Sequence, residues 1–172
     1  MYDRILFPTD GSDVVAPVFD YALDVATAHD ATVHVLNVAD TTQDSVTRIG
    51  SDVIDVFETE GERIVAETAE RARDRGVSVV TDVEQGKPSE IIVDYARNHG
   101  VDLVVMPTHG RKGLQRVLLG SVTERVVNAA DVPVLTVNPD ASGFSYPASN
   151  VLLPTDGSPG AAVALDAGVG VA

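Results

Sequence analysis

The sequence has no cysteine, no tryptophan and only two lysines, Lys87 and Lys112. Without cysteine there are no disulfides and no thiol chemistry, and the composition fits an intracellular protein. No apolar run approaches the roughly 20 residues needed to cross a bilayer, so no membrane partner is expected. Strand-like Ile5-Leu6-Phe7 follows almost directly on Met1, so no signal peptide is expected and the predicted compartment is the cytoplasm. Positive charge is also scarce: 12 Lys and Arg stand against 26 Asp and Glu, a formal net charge of -14. So acidic a surface repels nucleic acid phosphates, which argues against a DNA or RNA partner. The acids are dispersed and do not form a tail, a pattern that predicts a halophilic source whose hydrated surface is screened by salt.

What remains is enough for a core. With 172 residues, 44% hydrophobic, and a mean hydropathy of +0.10, the chain suits one domain of ordinary size with a segment left over. The most informative stretch runs from Met106 to Ser121. Apolar Leu103 to Met106 leads into it as a buried strand, and a helix over 122–130 leads out. Gly110, Gly113 and Gly120 allow close backbone approach, and Ser121 stands at a helix N-terminus, where N–H groups and a partial positive charge favour an anion. Arg111, Lys112 and Arg116 bring three of the few cations into this loop; His109 lies inside it and could contact phosphate, though such a residue is more often a polar filler. The pattern fits a phosphate cradle. It fits equally a solvated loop whose cations offset nearby acids.

In chain order the sequence predicts a strand at 4–7, closed by Pro8, and a polar turn over Thr9 to Asp13 with Ser12 and Asp13 as candidate caps. A helix over 14–29, a strand over 32–38, a polar loop over 40–50 and a long amphipathic helix ending before Gly76 follow. The remaining elements are a strand over 77–83, a helix starting near Ser89, the strand at 103–106, the helix at 122–130 and a strand over 132–137. Alternating strands and helices, with most strands apolar on both faces, predict an α/β protein with a Rossmann-like, doubly wound, five-stranded parallel sheet covered by helices on both faces. In such sheets ligands lie beyond the strand C-termini where the winding reverses. If the first and fourth strands are neighbours, Thr9-Asp10 and the loop 107–121 face one crevice.

The chain then repeats itself. Asn150 to Ser158, NVLLPTDGS, restates Arg4 to Ser12, RILFPTDGS, at a constant offset. The expected organisation is a first domain over 1–139, a linker over 140–148 and, over 149–172, the start of a second, incomplete repeat. One strand and half a helix cannot bury a core of their own.

These motifs carry a resemblance. YDRILFPTDGS at 2–12, HGRKG at 109–113, LLGSVTE at 118–124 and VPVL at 132–135 together resemble the universal stress protein family, over 1–138 and again from about 149. The resemblance, to the ATP-binding branch and to a haloarchaeal-like tandem with a truncated second domain, implies a five-stranded Rossmann-like fold, homodimerisation through the last strand, and ATP binding by Gly-x2-Gly-x9-Gly-Ser/Thr. Gly110 and Gly120-Ser121 match the later part of that pattern, while Pro107 occupies its first glycine and removes one N–H. Carried over residue by residue, the resemblance puts Asp10 near the ribose or metal and the Val38 backbone at the adenine edge. Gly110, Gly120, Ser121, Val122 and Thr123 then hold phosphates. Arg111, Lys112 and Arg116 are added for their charge, and Pro8, Thr9, Met106, Thr108, His109 and Gly113 complete the candidate set. Asp10 also reads as a turn residue, and Ser121 and Thr123 as helix caps.

The implied cofactors are ATP or another adenine nucleotide, with Mg. The function so read is a stress-responsive switch or sensor with slow or no turnover, since no base is evident to activate water, though weak hydrolysis or autophosphorylation stays open. The alternative is a nucleotide-free dimeric interaction module, supported by Pro107. A third reading, an adenylating or pyrophosphatase enzyme, lacks the Ser-Gly-Gly loop expected after the first strand. There is neither a Gly-x-Ser-x-Gly elbow nor a full Walker sequence. His29, His34, His99 and His109 lack metal-ligand spacing, so no metal site of that kind is expected. Asp13, Asp20 and Asp24 read as a solvated helix face.

Overall fold

The structure, a computed structural model, describes residues 2–41, 50–109, 119–141, 146–158, 165, 168 and 169, with side chains of the second long helix from residue 58 onward. Its elements run β1 (Arg4–Pro8), α1 (Ala16–His29), β2 (Thr32–Asp40), α2 (Gly50–Asp74), β3 (Val79–Gly86), α3 (Pro88–Asn98), β4 (Leu103–Pro107), α4 (Ser121–Ala129) and β5 (Val134–Val137). All pairings are parallel, in the order β3-β2-β1-β4-β5. The winding therefore reverses between β1 and β4, the expected neighbours.

The strand pleat sorts side chains into two cores. Ile5 and Phe7, with Val33, Val35, Leu103 and Val105, face α1 and α2 and pack on Val18, Phe19, Leu23 and Val65. Leu6, Leu36, Val104 and Met106 point the other way, onto Ile92, Tyr95 and Ala96 of α3 and Val126 of α4. Ile91, beside the buried Ile92, is only partly buried at the margin of that core. Strands β1, β2 and β4 are apolar on both faces, but β3 is an edge strand without one fully buried residue. Among the described residues its outer side has no strand partner, so the double-sided apolar pattern is not required there.

Several boundaries differ from the expected ones for local reasons. Helix α1 is preceded by a 3-10 turn at Asp13–Val15, and Pro17 sits in the first turn of α1, where its missing N–H costs nothing. Ser12 makes no side-chain cap, because its hydroxyl is turned back to Asp10. β3 starts at Val79 rather than Val77, because the Val77 N–H closes the end of α2 on the Ala72 carbonyl at 3.0 Å, with Gly76 at φ +72. β5 starts at Val134: Pro133 has no N–H to pair, though its carbonyl accepts from Val104 at 3.0 Å. Asp20 and Asp24 are more than a solvated face. Arg71 of α2 donates to the Asp20 carboxylate at 2.8 Å and Arg75 to that of Asp24, tying α1 to α2 at the surface.

Candidate functional site

At the C-terminal end of β1 the backbone ladder continues for one residue, with Thr9 N–H donating to the Leu36 carbonyl at 2.9 Å. The chain then turns on its own side chains. Thr9 Oγ1 accepts from Gly11 N at 3.1 Å; Asp10 Oδ1 accepts from Ser12 N at 3.0 Å and from the Ser12 hydroxyl at 2.6 Å. Gly11 has φ +72, and a Cβ there would lie 2.7 Å from Ile64 Cγ1 of α2, so both conformation and space demand glycine. Pro8 and Thr9 are buried and Asp10 is half-buried. The turn reading of Asp10 is thus realised, at the C-terminal end of β1 where the winding reverses.

The other wall is built from β4 and α4. Thr108 N–H donates to Val137 O at 2.9 Å, continuing the β4–β5 ladder beyond Pro107. Two bonds then join the start of the loop to its end. Gly120 N–H donates to Thr108 O at 2.6 Å, and Thr123 Oγ1 donates to Pro107 O at 2.9 Å, buried. A Cβ on Gly120 would sit 3.2 Å from Thr108 O. The cap residue of α4 is Gly120, which offers no side chain, and like the first N–H groups of any helix those of Ser121, Val122 and Thr123 have no partner within the helix. Ser121 is exposed, Val122 half-buried and Thr123 buried, its hydroxyl committed to Pro107. Pro107, which cannot donate, is instead an acceptor that fixes the first turn of α4.

The remaining candidates divide by position. Met106 is 4% exposed and its side chain belongs to the α3–α4 core; Val38, on β2 beside Glu84 of β3, packs against that same core. Thr108 Oγ1 and His109 Nδ1 lie 3.2 Å apart, and His109 Nε2 lies 3.5 Å from Asp140 Oδ2. Gly110, Arg111, Lys112, Gly113 and Arg116 lie outside the described residues. Asp140 and Asn37 were not expected at the site from sequence. Asn37 donates to the Thr9 carbonyl at 2.8 Å, and its signal was an amide inside the apolar run from Val33 to Val38.

Two of the four histidines, His34 and His99, far apart along the chain, meet in space. His34 Nδ1 lies 3.0 Å from the Tyr95 hydroxyl, which donates to Asp82, while the His99 ring stacks on Tyr95 at 3.8 Å. Burial, reinforced by His99, pushes the His34 pKa down; burial and the Asp82 bond push the Tyr95 hydroxyl up. Among the described residues no group of three or more His, Asp or Glu could hold a metal ion.

The repeated motif folds its turn again. Gly157 N donates to Thr155 Oγ1 at 3.1 Å and Ser158 N to Asp156 Oδ1 at 2.9 Å, with Gly157 at φ +77. The Ser158 bonds hold the Asp156 carboxyl below its ordinary range. Yet Val151 and Leu152 are exposed, and residues 150–154 belong to no strand.

A parallel sheet covered by helices, whose winding reverses at β1/β4, defines a Rossmann-like α/β protein. The sequence pattern of the universal stress protein family matches residues 1–138, and the chain belongs to that family. Universal stress protein MJ0531 of Methanocaldococcus jannaschii is 36% identical over 140 residues, covering 80% of this chain and 82% of its own. The solved structure of MJ0577 from the same organism superposes with a TM-score of 0.75 at 31% identity, over 83% of this chain and 99% of that one. A universal stress protein solved in complex with cAMP superposes at 0.64, with 26% identity over 80% of this chain and 98% of its own.

Proposed function

We propose that this chain binds an adenine nucleotide, with Mg-ATP the favoured ligand, between the Thr9–Ser12 turn and the described ends of the loop after β4, residues 107–109 and 119–123. In this reading it acts as a stress-responsive switch or sensor with slow or no turnover. The observation that carries it is that β1 and β4 are neighbours where the winding reverses, with the half-buried Asp10 following β1 and the glycine-capped N-terminus of α4 tied to the end of β4 by Thr123. The N–H groups of Ser121, Val122 and Thr123 suit phosphate oxygens, and Gly120 lets the end of the loop close on the Thr108 carbonyl. The cAMP complex of a relative supports an adenine ligand in this family. Asp10 and the Ser12 hydroxyl supply hard oxygen donors of the kind Mg accepts together with substrate phosphates. Bound there, the ion would neutralise phosphate charge.

The same reading includes homodimerisation through β5, which has one open edge in the sheet, a cytoplasmic location and no nucleic acid partner. It also takes residues 149–172 as the start of a second repeat. A nucleotide-free dimeric module is the second reading, favoured by Pro107 in place of a backbone donor. Mass analysis of small molecules released from protein purified in high KCl, with calorimetry of Mg-ATP, separates the two. A stoichiometric adenine nucleotide, or saturable binding weakened at least tenfold by Gly120→Ala, is the expected outcome. A protein that is empty and ignores added Mg-ATP is the interaction module.

A further inference from the structure

We propose that Asn37 is a positioning residue of the nucleotide site, aiming the Asp10 carboxylate by holding the Thr9 carbonyl; this deepens the binding reading above and rests on it. Asn37 is 7% exposed and lies on β2 opposite Val83 of β3. Its Nδ2 donates to Thr9 O at 2.8 Å, one residue beyond the last backbone bond from Thr9 N to Leu36 O. The side chain thus takes over where the β1–β2 ladder ends, and it fixes the direction in which the chain leaves the sheet.

Helix α2 supports the arrangement from behind. A Cβ on Gly61 would lie 2.8 Å from Asn37 Oδ1 and 2.7 Å from Val83 Cγ1, so the glycine makes room for the amide. One turn further on, Ile64 covers Gly11. Residues three apart share a helix face, so a single face of α2 clears Asn37 and seats the turn. The copy at Thr155–Ser158 separates shape from placement. It makes the same internal bonds at an exposed position outside the sheet. The turn's shape is local. Asn37 supplies its position.

The test uses the full chain. Asn37→Leu keeps similar volume and removes the donor; Asn37→Asp donates only while its carboxyl is protonated, and once ionised it repels the Thr9 carbonyl. Calorimetry of Mg-ATP is run from mildly acidic to alkaline pH, with melting of the unliganded proteins. Asn37→Leu is expected to melt cooperatively and to bind about tenfold more weakly, the scale of one hydrogen bond. Asn37→Asp is expected to lose affinity relative to wild type as pH rises, a slope that a merely structural role would not produce. Folded variants that bind like wild type at every pH would overturn the proposal; if Asn37→Leu does not fold, the Asn37→Asp profile decides. A wild-type protein that binds no adenine nucleotide would defeat the functional reading instead. Hydrogen exchange at the Gly11 and Ser12 amides then judges Asn37: faster exchange in the variants supports positioning, and unchanged exchange sinks it.

Discussion

His34 shows how much one residue depends on its surroundings. The single proton of the Tyr95 hydroxyl goes to Asp82, so the 3.0 Å bond between His34 and Tyr95 places a proton on His34 Nδ1. Burial lowers the pKa of this imidazole, His99 and Arg4 act in the same direction, and Asp82 opposes them. The sign follows. Above about pH 6.5 His34 is neutral whether the chain is folded or unfolded, and as the pH falls below that value the unfolded chain takes the proton first. Stability is therefore lost between the ordinary histidine pKa and the lowered one. His34→Gln, which cannot titrate, is expected to flatten the fall in melting temperature between about pH 7.5 and 5.5. Equal slopes for the two proteins would show that this ring does not control the acid response.

At the scale of elements, three helices end in the same way. After α1, α2 and α3 the chain turns through Asp30 at φ +55, Gly76 at φ +72 and Gly100 at φ +59. The next N–H, of Ala31, Val77 or Val101, bonds the carbonyl five residues back at 2.9–3.0 Å. Each of those next residues is buried, so the stop signal also delivers the following chain to the core. Asp30 is the one member of the three that is not glycine. Asp30→Gly is expected to stabilise the protein by about 0.5–1 kcal/mol, read as a melting temperature raised by roughly 1–4 °C. No rise, or a fall, would mean that the aspartate contributes something its strained backbone hides. Gly76 was legible in the sequence as a helix stop, since glycine announces this geometry. The role of Gly61 was not, because a glycine within a helix gives no sign of the side chain it clears.

For the whole molecule the acidic surface is the governing term. A formal net charge of -14 opposes compaction by self-repulsion, and the exposed ion pairs of α1 with α2 offset little of it. Melting temperature is expected to rise by several degrees from low to multimolar KCl as the repulsion is screened. A flat curve would remove the halophilic reading.

The sequence by itself determined the pieces. Apolar runs marked β1, β2 and β4, helical spacing marked α1 to α4, and Thr-Asp-Gly-Ser determined its turn so completely that residues 155–158 repeat the bonds of 9–12 outside any sheet. Those bonds span two residues, so composition alone can specify them. Only the tertiary structure decided what each piece meets. It paired β1 with β4, brought His34 to Tyr95 across 61 residues, set Asn37 under Thr9 across 28, and turned Pro107 from a missing donor into the acceptor for Thr123. Such contacts depend on strand order and packing across the sheet, and no window along the chain contains both partners.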